Sequence, residues 1–242
     1  MSKEINMFVQ LFHASSISLI VNGIRTCYNS FSNSDSYFDD IGNYILGEKD
    51  KALIEKIIES GHHSVLEHQI YTFYINGISR NCLQELSRHR IGVSPSVRST
   101  RYTLKELKNE KPFIDYIING QTIETIMHHD RAKKYVVYTG DSFIDSSSVR
   151  ALDNVREAIS NGITNDVAKY CLPECYKTSG QYTFNARSLI HLFELRMSSR
   201  ALKEFRELAC HIYFAIPEEY RFMFGKAIDL DLVENFRSKN AI

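Results

Sequence analysis

The chain carries no net charge, because 29 lysines and arginines balance 29 aspartates and glutamates over 242 residues. That balance excludes a protein that coats nucleic acid by bulk attraction, while leaving room for a local basic patch. No run approaches the roughly 18 uninterrupted apolar residues that a membrane-spanning helix needs. The start, Met1-Ser2-Lys3-Glu4-Ile5-Asn6, lacks the shape of a secretion signal. Cysteine is scarce and odd in number, with five residues at positions 27, 82, 171, 175 and 210. Reduced thiols in a cytoplasmic protein are the expectation. No pair has Cys-x-x-Cys spacing, which disfavours a zinc ribbon. Also missing are internal repeats, low-complexity tracts and an obvious linker, so a single domain over 1–242 is expected. No Gly-x-Gly-x-x-Gly follows a strand and no regular βαβ rhythm appears, which argues against Rossmann and TIM architectures. What is present is ordinary for a packed protein: 43% hydrophobic and 24% charged residues, enough for a sizeable core.

The spacing of apolar residues predicts an α+β class, an antiparallel sheet flanked by helices. Ile5, Met7, Val9 and Leu11 alternate as a strand over 5–13, and 17–29 reads as a helix. Residues 30–37 form a polar loop. Leu53, Ile54, Ile57 and Ile58 make one helical stripe over 50–60, stopped by Gly61. Tyr71, Phe73 and Ile75 share a strand face over 68–76, and a helix follows from Ser79 to about Arg90. The stretch 104–145 is charged and irregular, read as surface helices with turns at Asn119-Gly120 and Gly140-Asp141, inside a variable region over 104–150. A helix is expected from near Ser148 to Asn161-Gly162, and a short one over 165–172 that stops at Pro173. Tyr176, Thr178, Tyr182 and Phe184 line one side of a strand over 174–184; helices then cover 185–197, 199–215 and 217–226.

Three segments carry chemistry. In a helix running to Arg90, Arg88 and Arg90 point about 200° apart, so they would serve two ligands, two ends of one ligand, or a neighbouring subunit. The plainer reading is two cations complementing a helix C-terminus. Ser94, Ser96, Arg98, Ser99, Arg101 and Tyr102 crowd the stretch that follows, offering guanidinium forks and hydroxyls of the kind a phosphate monoester and a pyrimidine need. A solvated Ser/Arg loop is the alternative. Second, Asn185 is a natural N-cap for a helix whose stripe of Ala186, Leu189, Leu192 and Phe193 contains Arg196. Arg187 and His191 lie one turn apart on the other face. Arg196 either snorkels past the helix end or is held in a dry pocket to stabilise a developing anion. Third, Gly61-His62-His63-Ser64-Val65-Leu66-Glu67-His68 holds either a Ser64-x-x-Glu67 capping box or a histidine-carboxylate metal cluster, though the inverted zincin spacing is not met.

In order along the chain, these blocks resemble the flavin-dependent thymidylate synthases of the ThyX type. Arg88-His89-Arg90, eight residues, then Ser99-x-Arg101 resembles the family signature, with one residue more than its usual spacing. Gly61-His62-x-Ser64-x-x-Glu67-His68, Asn185 to Leu189 with Leu195-Arg196, Ala168 to Pro173, and Ile24 to Cys27 resemble the other family segments. The resemblance implies reductive methylation of dUMP to dTMP, with methylenetetrahydrofolate as carbon donor, FAD as hydride carrier and NADPH as reductant. It implies a homotetramer whose active sites are built from several subunits; from the spacing of the 61–68 residues, no metal is expected. By position, Glu85, Leu86, Ser87, Arg88, Val97, Arg98, Ser99, Thr100, Arg101, Lys169 and Arg196 would bind dUMP, with Arg196 as the catalytic group that polarises the uracil. Cys27, His62, Ser64, Arg88, His89, Arg90, Val97, Asn185, Arg187 and His191 would bind FAD. Three positions depart from the pattern: Val97 stands where glutamate is frequent, Glu85 replaces glutamine, and Lys169 replaces an arginine, putting a point charge where a fork was.

Two other classes remain as alternatives at this level. One is a non-catalytic nucleic-acid-binding module that uses the basic segment Arg88–Arg101. The other is a metal-dependent hydrolase built on His62, His63, Glu67 and His68.

Overall fold

The computed structural model describes residues 7–119 and 122–240. In chain order the elements are β1 (Phe8–Ala14), α1 (Ser18–Cys27), β2 (Tyr37–Phe38), β3 (Tyr44–Ile45) and α2 (Glu48–Glu59). They continue with β4 (Ile70–Ser79), α3 (Arg80–Leu86), β5 (Val93–Val97), α4 (Thr100–Thr103), β6 (Ile114–Asn119) and β7 (Thr122–Met127). Then come α5 (His129–Ala132), α6 (Ser142–Ser160), α7 (Asn165–Ala168), β8 (Lys177–Asn185), α8 (Ala186–Arg196), α9 (Lys203–Ala215) and α10 (Leu230–Asn240). A four-stranded sheet has the order β1-β4-β8-β5, and β2-β3 and β6-β7 are antiparallel pairs. The class is α+β with an antiparallel sheet and helices.

Internal contacts gather the chain into two compact units, one of 76–85 and 97–180, the other of 8–75, 86–96 and 181–240. In the first, α6 lays Val149, Leu152, Val155 and Ile159 against Leu104, Leu107, Phe113, Tyr135 and Tyr176. This helix starts at Ser142, earlier than the pattern suggests, because the Asp141 side chain accepts from the N–H groups of Phe143 and Ile144. The stretch read as surface helices contains a β-hairpin instead, with Ile114 opposite Met127 and Asn119 opposite Thr122. Alternation such as Ile114, Tyr116 and Ile118 was hidden there by the surrounding charge. Ile5 and Gly120, invoked in the strand over 5–13 and in a turn, lie outside the described residues.

In the second unit, the alternating face of β4 buries Tyr71, Phe73 and Ile75 completely. Ile54 and Ile57 of α2 are buried as their stripe requires, and Gly61 ends the helix region with φ +76°. α3 is shorter than expected. It closes at Leu86 through a turn in which the His89 N–H donates to the Leu86 carbonyl at 3.1 Å. Arg88, His89 and Arg90 therefore lie beyond the helix, and their directions do not follow helical increments. The extended segment after them includes strand β5 rather than loop alone. Among the described residues no helix is long and apolar enough to cross a membrane.

Candidate active site

In the second unit, the start of α8 organises the segment that follows Arg90. The Asn185 side chain accepts from the Ser188 N–H at 2.8 Å, the N-cap expected of it. Asn185 also donates its own N–H to the Gly92 carbonyl at 3.0 Å, and Ser188 Oγ donates to the Ile91 carbonyl at 2.6 Å. Gly92 is required at this crossing. Its φ is +67°, and a Cβ there would stand 2.3 Å from Asn185 Nδ2 and 2.4 Å from Ser188 Oγ.

The far end of α8 meets the same segment. Arg196 is half-buried, its Nε donates to His89 Nε2 at 2.9 Å, and its guanidinium lies 4.8 Å from the centroid of the Phe205 ring. The arginine neither snorkels into water nor sits unpaired: the ring face and the imidazole lone pair together hold it. Acceptance at Nε2 places the proton of neutral His89 on Nδ1. The imidazole is wedged by edge contacts to Phe205 and His191, with centroids 5.8 and 6.0 Å away.

Arg187 and His191 are exposed on α8. Arg187 Nη1 donates to Glu67 Oε1 at 2.6 Å, so Glu67 is not reaching back to cap its own turn. His63 Nε2 donates to the Ile58 carbonyl at 3.0 Å. These partners draw the histidine-carboxylate segment apart, and among the described residues no group of three His, Cys, Asp or Glu side chains could hold a metal ion. A cavity of about 370 Å³ opens beside it, lined by Cys27, His62, Ser64 and Arg187 with Ile24, Tyr28, Ile57 and Val65 among its apolar walls. Its size lies in the range of small-molecule sites. Polar donors beside apolar walls suit a ligand that is part phosphate and part ring system, which is the chemistry of a dinucleotide such as FAD.

In the first unit, Val97, Arg98, Ser99, Thr100 and Arg101 lead from the end of β5 into α4. Arg98 is engaged by its own unit: its N–H donates to the Ser179 carbonyl, Nη2 donates to the Lys177 carbonyl at 3.1 Å, and Glu106 lies 3.5 Å away. Its guanidinium also faces the Tyr176 ring at 5.9 Å. Burial and the neighbouring Glu106 carboxylate push the Tyr176 phenol up, keeping it a donor to Glu106 at 3.0 Å. Arg101 is exposed and grips Asp166 through Nε at 2.9 Å and Nη2 at 3.3 Å; Lys169 Nζ lies 3.6 Å from the same carboxylate. The basic segment is thus paired with carboxylates at two of its four arginines, Arg98 and Arg101, which weakens the cationic stripe a nucleic-acid module needs. Glu85 is half-buried, Leu86 buried, and Ser87 and Arg88 exposed at the end of α3.

A family model described as thymidylate synthase complementing protein matches residues 11–219. The chain belongs to the flavin-dependent thymidylate synthase family. A flavin-dependent thymidylate synthase of Wolinella succinogenes is 46% identical over 219 residues, covering 90% of this chain and 97% of that protein. One from Campylobacter jejuni is 44% identical over 223 residues, covering 92% and 97%. The crystal structure of the Helicobacter pylori enzyme with FAD and dUMP superposes with a TM-score of 0.80 at 40% identity, covering 92% of this chain and 99% of that one.

Three side chains that touch the expected residues of this flavin-dependent thymidylate synthase family member lie outside the sequence expectation. Phe205 supports Arg196 from α9, Tyr28 lines the cavity, and Asp166 ties Arg101 to Lys169. Only Asp166 left a local signal, since it precedes Lys169 by three residues in a short helical stretch. Phe205 reaches Arg196 from the next helix, nine residues on, where no helical period links the two, and Tyr28 meets the 57–65 wall only through the fold.

Proposed function

We propose that this chain catalyses the reductive methylation of dUMP to dTMP, taking the carbon from methylenetetrahydrofolate and reducing equivalents from NADPH by way of FAD. In this reading Arg88, His89, Arg90, Asn185, Arg187 and His191, with Cys27, His62, Ser64 and Val97, hold FAD, and bound FAD supplies the hydride. Glu85 to Arg88, Val97 to Arg101, Lys169 and Arg196 hold dUMP. Arg196 is the catalytic group, a guanidinium that stabilises negative charge that develops on the uracil. His89 orients it by accepting from Nε, and Phe205 carries its plane. The observation that carries the reading is this 2.9 Å Arg196–His89 hydrogen bond, which couples the Arg-His-Arg signature to the helix that bears the catalytic arginine.

The whole chain acts as one catalytic domain and assembles as a homotetramer. Support for assembly comes from exposed aromatics on the sheet, where Phe12 stacks on Tyr74 at 5.7 Å and Phe8 packs beside it at 5.9 Å. Phe8 and Phe12 are both exposed, and apolar patches of this kind favour association. Five free cysteines fit a cytoplasmic location.

The absorption spectrum of the purified protein is the direct test. A bound flavin gives a yellow protein that converts dUMP when NADPH and the folate donor are added. Protein that is colourless and stays inactive after FAD is supplied overturns the reading.

A further inference from the structure

Asp166 stands between two cations assigned above to dUMP. Its Oδ1 accepts from Arg101 Nε at 2.9 Å and lies 3.6 Å from Lys169 Nζ, while Oδ2 accepts from Arg101 Nη2 at 3.3 Å. Next to it, Asn165 Nδ2 donates to the Arg101 carbonyl at 2.8 Å, fixing the backbone of α4 against α7. The Arg101 and Asp166 side chains are 61% and 52% exposed. Ion pairs this exposed contribute little to folding, so stability alone does not explain three charges drawn to one point.

The geometry has a functional consequence. A guanidinium carries five N–H donors in a rigid fork. Asp166 takes the edge formed by Nε and one Nη2 hydrogen, which directs the Nη1 pair and the other Nη2 hydrogen away from the carboxylate. Arg101 is thereby held in one orientation with a second bidentate edge presented outward, and Lys169 is drawn beside it.

We propose that Asp166 is a positioning residue for the phosphate of dUMP, presetting Arg101 and Lys169 as a pair before the nucleotide arrives. This rests on the assignment of Arg101 and Lys169 to dUMP, and takes these two cations as the pair that meets its phosphate. Two effects of the carboxylate oppose each other. It repels the phosphate, but between exposed groups that repulsion is screened by solvent and salt. It also removes the ordering cost of two long side chains. Ordering outweighs repulsion, and the sign of the Asp166 effect follows.

Steady-state kinetics of D166A should show KM for dUMP raised about threefold to tenfold, the fold-change equivalent to ordering one such side chain, with kcat at saturating dUMP retained. D166N keeps one acceptor and should fall between D166A and the parent. Binding of deoxyuridine, which lacks the phosphate, should be unaffected by either change. An unchanged or lowered KM for dUMP overturns the proposal, as does an equal loss for deoxyuridine, which marks a merely structural role. R101A separates this failure from failure of the underlying assignment. If R101A keeps the full preference for dUMP over deoxyuridine, the phosphate assignment is wrong; if R101A loses that preference while D166A and D166N behave as the parent, only the positioning role falls.

Discussion

Replacing Asp50 by alanine should unfold this protein far more readily than any surface change. Asp50 is fully buried at the start of α2, and it accepts from Arg25 Nε at 3.0 Å, from Arg25 Nη2, and from the hydroxyls of Ser34 and Ser36 at 2.5 and 2.6 Å. Arg25 is 7% exposed, and it also donates to Ser30 Oγ and the Asn33 carbonyl. Deleting the carboxylate leaves a buried guanidinium without its counter-charge, at a cost of about 3–5 kcal/mol. For a chain of this length that corresponds to a fall in Tm of about 6–20 °C. The same pair hangs the 28–36 segment on α1 and α2, so flavin retention should fall with Tyr28 displaced from the cavity wall. Thermal unfolding followed by circular dichroism, with the flavin spectrum recorded in parallel, measures both effects. Acidification supplies a second readout. Burial pulls the Asp50 carboxyl upward, but the hydrogen bonds from Ser34, Ser36 and Arg25, with the charge of Arg25, outweigh it and hold the group below its ordinary value. A depressed folded value contributes stability above the unfolded value of about 3.9, and that contribution is lost as pH falls through the folded value. The gap between parent and D50A should therefore narrow below about pH 4. A double replacement, R25M with D50L, should recover most of the loss, because a packed apolar pair substitutes well for a buried ion pair. A D50A protein that loses less than about 1 kcal/mol refutes the reasoning, because the pair would then behave as an exposed one.

R196A should lose turnover by about a hundredfold or more while Tm shifts by only a few degrees, since a preset charge at a developing anion is worth several kcal/mol in rate; kcat measured beside a melting curve separates the two. G92A should cost about 1–3 kcal/mol and lower flavin occupancy, because a Cβ cannot fit 2.3 Å from Asn185 Nδ2; the ratio of flavin to protein absorbance reads it. D141A should cost about 1 kcal/mol through loss of the α6 N-cap and leave kcat unchanged, which urea unfolding and one assay verify.

Local chemistry made much of the scaffold legible. The period-two runs through Tyr71-Phe73-Ile75 and Tyr182-Phe184, the α2 stripe with Gly61 behind it, and the Asn185 cap each state a conformation through residues two to four positions apart. The hairpin of β6 and β7 was masked because its charged residues alternate with apolar ones inside a polar region. The end of α3 was misplaced because Arg88, His89 and Arg90 are acceptable helix residues. What turns them out of the helix is a bond to Leu86 and the stitching of residues 91–92 onto α8.

The same division holds for the site. Its residue types, their order and their family were set by the chain itself: two arginines around a histidine, a capped helix ending in an arginine, and a lysine three residues past an aspartate. Apart from the local Asp166–Lys169 pair, which of these charges pair was decided by tertiary structure. His89 accepts from Arg196 across 107 residues of sequence, Arg187 finds Glu67 across 120, and Arg101 finds Asp166 across 65. Periodicity reports only the face on which a side chain stands. The partner of a charge depends on which distant element packs there, and that is fixed by the burial of the whole core.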